Sequence, residues 1–296
     1  MKKSIEDFVF YISDVKKMSL STVQSYQRDL NKMMIFLESV GIDSVDKVTV
    51  TNINAYILKL EKDGMSAATI SRNIASMRSF FRFLLQRKQI DYEPVEFLKS
   101  PQVEKKLPAV LSVEEVDRIL EQPDDTTLKG IRDKAMLELL YATGIRVSEM
   151  VLLKVSDLNM QMDYVICHNQ AKYKDRAVPF GKKAKKALLK YFSECRDKMV
   201  KEQDNDILFV NCKGKPMSRQ GFWKIIKEYG FKAGITCEIN PLLIRHSFAA
   251  HMVSNGADLR SIQEMMGLSD ISSARIYEDV KRQRIRTVYD KTHPRN

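Results

Sequence analysis

The chain has 296 residues, of which 44% are hydrophobic and 29% are charged, so it is long and apolar enough for about two domains with hydrophobic cores. This composition excludes a disordered tail and a disulfide-stabilised miniprotein. The 49 Lys and Arg residues outnumber the 38 Asp and Glu residues and give a net charge of +11, which favours a polyanionic partner, most often nucleic acid.

The sequence contains no sign of a membrane span or a signal peptide. No apolar stretch approaches the roughly 20 residues that cross a bilayer. At the N-terminus, Glu6 and Asp7 precede a short apolar run, Phe8 to Ile12, which does not fit a signal peptide. The cysteines are too widely spaced for a disulfide framework or a zinc site. We therefore expect a cytoplasmic protein with reduced thiols and no membrane partner.

Residues 1–98 carry apolar side chains at helical spacing. The pattern predicts four helices, at about 4–16, 20–39, 50–62 and 66–88. Side chains that can cap a helix precede three of them: Ser19 or Ser21, Thr49 or Thr51, and Ser66. The buried stripe predicted for the fourth helix is Ile70, Ile74, Met77, Phe81, Leu84 and Leu85. Arg72, Arg78 and Arg82 then face outward, and a four-helix domain with one basic, DNA-binding face follows.

A change of composition separates this region from the rest of the chain. Prolines and mixed charges replace the helical pattern, which is typical of a linker. We predict domains at 1–98 and 112–296, joined by a linker at 99–111. The second domain opens on Ser112, a helix cap with Glu115 three residues later, and a further helix is predicted at about 128–142.

A β-hairpin is predicted in the middle of the second domain. Tyr164–Cys167 and Arg176–Pro179 flank a polar turn that contains lysines, and Ile207–Val210 is a candidate third strand. Helices dominate the remainder. The predicted fold class is mainly α, with a small antiparallel β-sheet.

Two stretches of the sequence are strongly basic. Ser66–Ile90 contains five Lys and Arg residues and no acid, and Gln170–Lys190 contains eight against a single Asp175. Such runs suit a phosphate backbone. A solvated helix face is the alternative, although faces that serve only solubility usually interleave acids.

Three residues in the second domain could carry chemistry. Arg146 follows a glycine break where a helix restarts, Arg245 lies in the first turns of a mostly apolar helix, and Tyr277 lies in a polar helix near the C-terminus. Taken singly, each arginine is better explained as a structural ion-pair partner, and the tyrosine as a residue at the rim of an amphipathic helix.

Taken together, five segments in order resemble the tyrosine recombinase (phage integrase) family, and closely the Xer-type recombinases of bacteria. The segments are Ala142–Glu149, Lys174–Pro179, Ile244–His251, Gly256–Gln263 and Ile271–Tyr277. The resemblance extends over nearly the whole chain. It implies an N-terminal helical core-binding (SAM-like) domain and a C-terminal α+β catalytic domain.

The resemblance also implies a reaction. Tyr277 matches the family nucleophile, whose phenol attacks a DNA phosphate and stores the bond energy in a 3′-phosphotyrosine. Arg146 and Arg245 match the two arginines that hold the non-bridging oxygens of the transition state, and Glu149 matches an acid that orients the site. The family needs no metal or other cofactor.

The match is incomplete at the hairpin and at two histidine positions. Alignment places the family lysine, which protonates the leaving oxygen, near Gln170 or Ala171, so Lys172 is the nearest candidate and Lys174 the next. Lys174 and Arg176 are also expected to contact DNA. The two positions where the family has a histidine, or tryptophan at the second, are Leu242 and Leu268. His168 could reach the phosphate but also fits an ordinary exposed histidine.

We interpret the chain as a site-specific recombinase that exchanges strands of double-stranded DNA through a Holliday junction. Leu242 and Leu268 favour the alternative, an attenuated DNA-binding relative with an architectural or regulatory role, and a relaxing topoisomerase is the weaker third possibility. The family resemblance implies DNA integration, chromosome partition and cell division as roles. It further implies a tetramer, of this chain alone or with a related recombinase, in which a tail docks onto the neighbour. That tail contains Lys281, Arg282, Arg284, Arg286, Val288 and Tyr289.

Overall fold

A computed structural model of the protein describes residues 1–102, 107–168, 175–201 and 205–292, with side chains described up to residue 283. The chain forms two compact units, Met1–Lys105 and Lys106–Asn296. Among the described residues, no helix has the length and apolar character that a bilayer crossing requires.

The first unit is a bundle of four helices, as the apolar spacing predicts. They are α1 (Lys2–Phe10), which continues as a π-helical turn over Tyr11–Val15, α2 (Leu20–Ser39), α3 (Val50–Lys62) and α4 (Ala67–Gln86). The side chains of Ser19, Thr49 and Ser66 each accept a hydrogen bond from a backbone N–H of the first turn, so the three predicted caps are confirmed.

The core of this unit is rich in aromatic rings. Phe8 of α1 lies 5.5 Å, between ring centroids, from both Phe80 and Phe83 of α4. The predicted stripe of α4 is buried except at Leu85, which is 38% exposed. Leu85 lies in the last turn of the helix.

The second unit contains the remaining helices and the sheet. Its helices are α5 (Val113–Glu121), α6 (Leu128–Thr143), α7 (Val147–Met150), α8 (Lys182–Lys190), α9 (Asp197–Met199), α10 (Arg219–Lys232), α11 (Pro241–Ser254), α12 (Leu259–Met266) and α13 (Ser272–Thr292). A π-helical segment, Tyr191–Arg196, joins α8 to α9. Ser112 and Glu115 form the predicted capping box at the start of α5.

The sheet has three antiparallel strands in the order β1 (Leu158–Asn159), β2 (Tyr164–Cys167) and β3 (Arg176–Pro179). The β2–β3 hairpin has the predicted bounds, and Cys167 pairs with Arg176 beside the turn. The prediction of a strand at Ile207–Val210 is wrong. Ile207 and Val210 make only isolated bridges, to Lys154 and Pro216, and the third strand is the two-residue β1.

Helix α11 is the central element for the site. It contacts α6, α12 and α13, and α12 also contacts β3. A hydrophobic cluster that includes Phe248 of α11, Met266 of α12 and Ala274 of α13 joins these helices. Most of α11 is therefore buried, and polar side chains on it are held within the packing of its neighbours.

Candidate active site

Arg146 is positioned by the break between α6 and α7. Gly144 ends α6 in the left-handed conformation, at φ +58°, and the ring of Phe248 occupies the place that a Cβ would take, so only glycine fits there. The chain then restarts as α7 with Arg146 at its N-cap. The backbone N–H of Arg146 donates to Glu149 Oε2 at 2.7 Å, and its Nη1 donates to Glu149 Oε1 at 3.1 Å.

Arg245 lies in the second turn of α11. The helix starts at Pro241, and the side chain of Asn240 accepts the N–H of Leu243 as its cap. Arg245 is 5% exposed, and its guanidinium donates to Gly144 O at 2.6 Å. Burial, together with the charge of Arg146, lowers the pKa of Arg245 to about 10. The arginine thus remains charged at neutral pH, but in a poorly solvated place where its charge acts strongly on a bound anion.

The C-terminal end of α12 holds three arginines. Its last carbonyls lack partners within the helix and carry the negative end of the helix dipole, so they attract cations. Each of three successive carbonyls accepts a hydrogen bond from a different guanidinium. The bonds are Arg176 Nε to Met265 O (2.8 Å), Arg245 Nη2 to Met266 O (2.5 Å) and Arg146 Nη2 to Gly267 O (2.7 Å). One helix end therefore brings together arginines that are far apart in the sequence.

Glu149 links two of these arginines. Besides its bonds to Arg146, its carboxylate accepts both Nη groups of Arg176, each at 2.8 Å. Burial alone would raise the pKa of Glu149, but the hydrogen bonds from Arg176 and from the Arg146 backbone outweigh it and hold that pKa below its ordinary value. Glu149 is therefore ionised and compensates part of the positive charge of the cluster.

Tyr277 lies in α13, next to α11. Its side chain is 2% exposed, and its hydroxyl lies 2.7 Å from Nδ1 of His246. Burial raises the pKa of Tyr277, and the nearby charge of Arg245 opposes this rise. Burial and Arg245 both lower the pKa of His246. The phenol is therefore protonated at neutral pH and adjoins a neutral imidazole.

A broad cleft opens beside this cluster. The residues that line it include Arg146, Lys154, His168, Arg176, Arg260 and Leu268. Tyr277 and Arg245 are buried and, like His246, are not among the residues that line the cleft. Arg146 and Arg245 bond to the adjacent carbonyls of Gly267 and Met266. Tyr277 contacts His246, the next residue after Arg245, so the three predicted catalytic groups share one neighbourhood. The cleft surface itself presents Arg146.

The two leucines lie at helix ends. Leu242, in the first turn of α11, is 57% exposed, and Leu268 directly follows Gly267 at the end of α12. Neither side chain can donate or accept a hydrogen bond. Lys172 and Lys174, the two candidates for the general acid, lie outside the described residues.

The three arginines predicted to contact DNA in the first unit differ in their surroundings. Arg72 donates two hydrogen bonds, at 2.8 and 2.9 Å, to the buried carboxylate of Asp29. Arg78 donates to the carbonyl of Leu98. Arg82 is 67% exposed and lies 3.4 Å from Glu93. Their roles in DNA binding stay predictions, and Arg82 is the most accessible of the three to a phosphate.

Two features of the site were missed in the sequence. The Nε of Arg176 bonds to Met265, and its Nη1 and Nη2 bond to Glu149. The side chain is 13% exposed and stabilises the cluster from within. His246 contacts the tyrosine although it lies at neither of the two positions, 242 and 268, where the resemblance implies a histidine. Its place next to Arg245 in the sequence was the only signal. Farther along the cleft, His168 bonds to Asp157 (2.9 Å) and to Asp175 (2.7 Å).

Two family models match the chain. Residues 5–88 match the "Phage integrase, N-terminal SAM-like domain", and residues 109–284 match the "Phage integrase family". The tyrosine recombinase XerD of Oceanobacillus iheyensis is 43% identical over 297 residues, which cover 100% of this chain and 99% of that protein. The tyrosine recombinase XerD of Staphylococcus aureus is 40% identical, and the match covers 100% of both chains.

Solved structures show the same fold. A XerH recombinase bound to a palindromic difH substrate, in a post-cleavage complex, has a TM-score of 0.77 at 22% identity and matches 92% of this chain and 80% of its own. A lambda integrase dimer bound to a COC′ core site has a TM-score of 0.73 at 15% identity, with 94% of each chain covered. Since the integrase match spans more than half of the sequence and XerD relatives match all of it, the chain belongs to the phage integrase family, as a tyrosine recombinase of the Xer type.

Proposed function

We propose that the chain is a site-specific DNA recombinase that cuts and rejoins double-stranded DNA through a 3′-phosphotyrosine intermediate and a Holliday junction. The observation that carries this proposal is that Arg146 and Arg245 meet at one helix end, beside a cleft whose surface presents Arg146, while Tyr277 contacts His246, the next residue after Arg245. A phosphate in the cleft would lie against positive charge that α12 holds rigidly.

In the proposed reaction, the oxygen of Tyr277 attacks the scissile phosphorus and forms an O–P bond, while the bond to the 5′ oxygen of the next nucleotide breaks. The arginines stabilise the charge that grows on the non-bridging oxygens. The leaving oxygen takes a proton from a lysine of the β2–β3 turn, Lys172 or Lys174. A 5′ hydroxyl from a second duplex then attacks the phosphotyrosine, which releases Tyr277 and joins the exchanged strands.

The assembly follows from the same chemistry. A Holliday junction needs four strands cut in pairs, so we propose a tetramer on two synapsed sites, built from this chain alone or with a related recombinase. In it, the C-terminal tail docks onto a neighbouring subunit. The full-length match to XerD recombinases extends the proposal to chromosome partition and cell division in the bacterial cytoplasm.

A covalent capture experiment tests the function. The protein is incubated with sheared genomic DNA of its own organism, and the mixture is washed under denaturing conditions that remove all non-covalent complexes. We expect the wild type to retain DNA, whose sequenced ends identify the site, and Tyr277→Phe to retain none. Tyr164→Phe is the matched control, because among the described residues its hydroxyl forms a hydrogen bond with Asn159 alone, and it should retain DNA as the wild type does.

The outcomes separate the proposals. Retention by Tyr277→Phe would show that another residue is the nucleophile. If no variant retains DNA after denaturation but the wild type binds the same fragments in native buffer, the chain is a DNA-binding protein and the recombinase proposal is wrong.

A further inference from the structure

The nucleophile needs a partner that removes its proton. Burial raises the pKa of Tyr277, so at neutral pH its hydroxyl is protonated and weakly nucleophilic. At the position three residues before Arg245, this chain has Leu242, which cannot accept a proton. A chain that uses Tyr277 therefore requires another base.

Helix α11 carries a candidate one turn farther along. Residues 242 and 246 are four apart and so lie on the same face of the helix. His246 is half-buried, and its Nδ1 lies 2.7 Å from the hydroxyl oxygen of Tyr277. The two rings are tilted by 48°, with their centroids 5.7 Å apart. The 2.7 Å between Nδ1 and the hydroxyl oxygen is within the hydrogen-bond range that a general base requires.

We propose that His246 is a catalytic residue that accepts the hydroxyl proton of Tyr277 as the tyrosine oxygen attacks the scissile phosphorus. The inference rests on the proposed recombinase function and assigns its missing base. In the required tautomer, the imidazole carries its own proton on Nε2, and Nδ1 accepts from the hydroxyl.

The proton balance of the step is complete. As the Tyr277 O–P bond forms, its O–H bond breaks and the proton moves to Nδ1, which yields an imidazolium. The P–O5′ bond breaks at the same time, and the leaving oxygen takes its proton from the lysine of the hairpin turn. In rejoining, the 5′ hydroxyl gives up its proton to that lysine, and His246 returns its proton to the departing tyrosine oxygen.

The charges around the imidazole suit this role. Among the described residues, the ionisable groups that act on it are Arg245 from its own helix and Tyr277 from α13. Burial and the positive charge of Arg245 both disfavour the imidazolium, so His246 stays neutral and able to accept a proton to more acidic pH than an ordinary histidine. When the tyrosine binds the phosphate, the added negative charge nearby favours the imidazolium that forms.

The test measures the rate at which a nicked suicide duplex, made from the captured DNA site, becomes joined to the protein in a single turnover. His246→Asn is the central variant, because its amide oxygen can still accept a hydrogen bond near the Nδ1 position but cannot take up a proton. We expect the rate to fall by about 100-fold, within the usual range for loss of a general base, with unchanged DNA affinity. In the wild type, the rate should fall as the pH drops through the pKa of His246, and the variant should lack this fall.

A second measurement separates a base from a structural contact. A fluorinated tyrosine at position 277 has a lower phenol pKa and depends less on a base. The defect of His246→Asn should therefore shrink when this residue replaces Tyr277. His251→Asn is the matched control on the same helix, because His251 bonds to Tyr141 and Leu111. Its loss should lower the melting temperature, but the rate should still fall at acidic pH as it does in the wild type, a fall that we call the acid limb of the rate profile.

Each other outcome contradicts the assignment. If His246→Asn and His246→Phe join DNA faster than the wild type, the contact restrains the tyrosine and does not activate it. If the variants keep both the wild-type rate and the acid limb, His246 is not the base. Because these rates are compared with a wild type that already forms the adduct, failure of this proposal leaves the recombinase function intact, whereas a wild type without adduct contradicts the function itself.

Discussion

Glu149 and Arg176 form a two-pronged ion pair, with both Nη–O distances at 2.8 Å, and the side chains are only 10% and 13% exposed. The pair joins α7 to β3, and through Arg146 it also joins the cleft surface to the end of α12. A carboxylate between two guanidiniums lets the cluster carry several positive charges at close range. The position of Arg146 therefore depends on Glu149, which need not contact DNA.

Substitution Glu149→Gln should lower both stability and activity. It leaves the Arg176 guanidinium in a largely buried place without its counter-charge, and removal of one partner of a buried pair typically costs about 3–5 kcal/mol. Because part of this site is open to the cleft, we expect about 2–3 kcal/mol, measured by denaturant unfolding, and a slower formation of the covalent adduct. The stabilisation should also fade as the pH falls through the depressed pKa of Glu149.

Glu228→Gln is the matched control for that substitution. Glu228 is also flanked by two cations, Lys129 and Lys232, but its side chain is 42% exposed. Exposed pairs contribute less than about 1 kcal/mol. Equal losses of stability in the two variants would show that burial of the Glu149 pair is unimportant.

The turn at Gly267 provides a second prediction. Gly267 has a φ of +59°, and a Cβ there would lie 2.8 Å from Nη1 of Arg176. Gly267→Ala should therefore combine the cost of the left-handed conformation, about 1 kcal/mol, with a displacement of Arg176. We expect a lower melting temperature and slower adduct formation.

Gly234→Ala isolates the conformational part of this effect. Gly234 has a similar φ, +67°, but nothing lies within 4 Å of the position of its Cβ. This control should lose only the stability that the left-handed backbone conformation costs, and its rate of DNA cleavage should be unchanged. A rate loss no larger in Gly267→Ala than in Gly234→Ala would contradict the proposed link between this turn and the arginines.

The sequence predicted the parts of the fold that side-chain patterns encode. The caps at Ser19, Thr49 and Ser66 and the bounds of the β2–β3 hairpin follow from residue types and periodicity. The two-residue strand β1 is too short to show any period. The hydrogen bonds from three arginines to the end of α12 could not be predicted, because their acceptors are backbone carbonyls, which every residue has.

The contact of His246 with Tyr277 was hidden for a related reason. Only the packing of α13 on α11 brings the two residues together, and this packing is set by apolar residues such as Phe248 and Ala274. Family motifs predicted which residues meet in the site but not how each is held. The roles of Arg176 and His246 lie in that second category.

His168 should make stability depend on pH. Its ring bonds to Asp157 and Asp175, and these hydrogen bonds raise its pKa above the ordinary value. A raised pKa means that the stabilisation is fully present below the unfolded-state pKa of about 6.5 and is lost as the pH rises through the folded-state pKa. Because the side chain is 52% exposed, we expect an effect below about 1 kcal/mol.

Melting temperatures of the wild type and His168→Gln across this range check the prediction. The gap between the two proteins should be widest at acidic pH and should narrow as the histidine loses its proton. Asp175→Asn, which removes one of the two carboxylates, should show a smaller version of the same pattern. A gap that widens toward alkaline pH would contradict the assignment of these contacts to a charged imidazole.

Replacement of the two predicted catalytic arginines by lysine should separate their structural from their electrostatic roles. Arg245 spans two carbonyls, Gly144 O and Met266 O, and a lysine can reach only one of them. Arg245→Lys therefore leaves a buried acceptor unpaired, at a cost of about 1–3 kcal/mol, whereas the side chain of Arg146 is 41% exposed and Arg146→Lys should cost less. Both variants should slow adduct formation by about 100-fold or more, because neither lysine can hold a phosphate bidentately. Denaturant unfolding, single-turnover cleavage and DNA affinity, measured on the same proteins, check this prediction. If Arg245→Lys kept the stability of the wild type, α12 would not hold this guanidinium in solution.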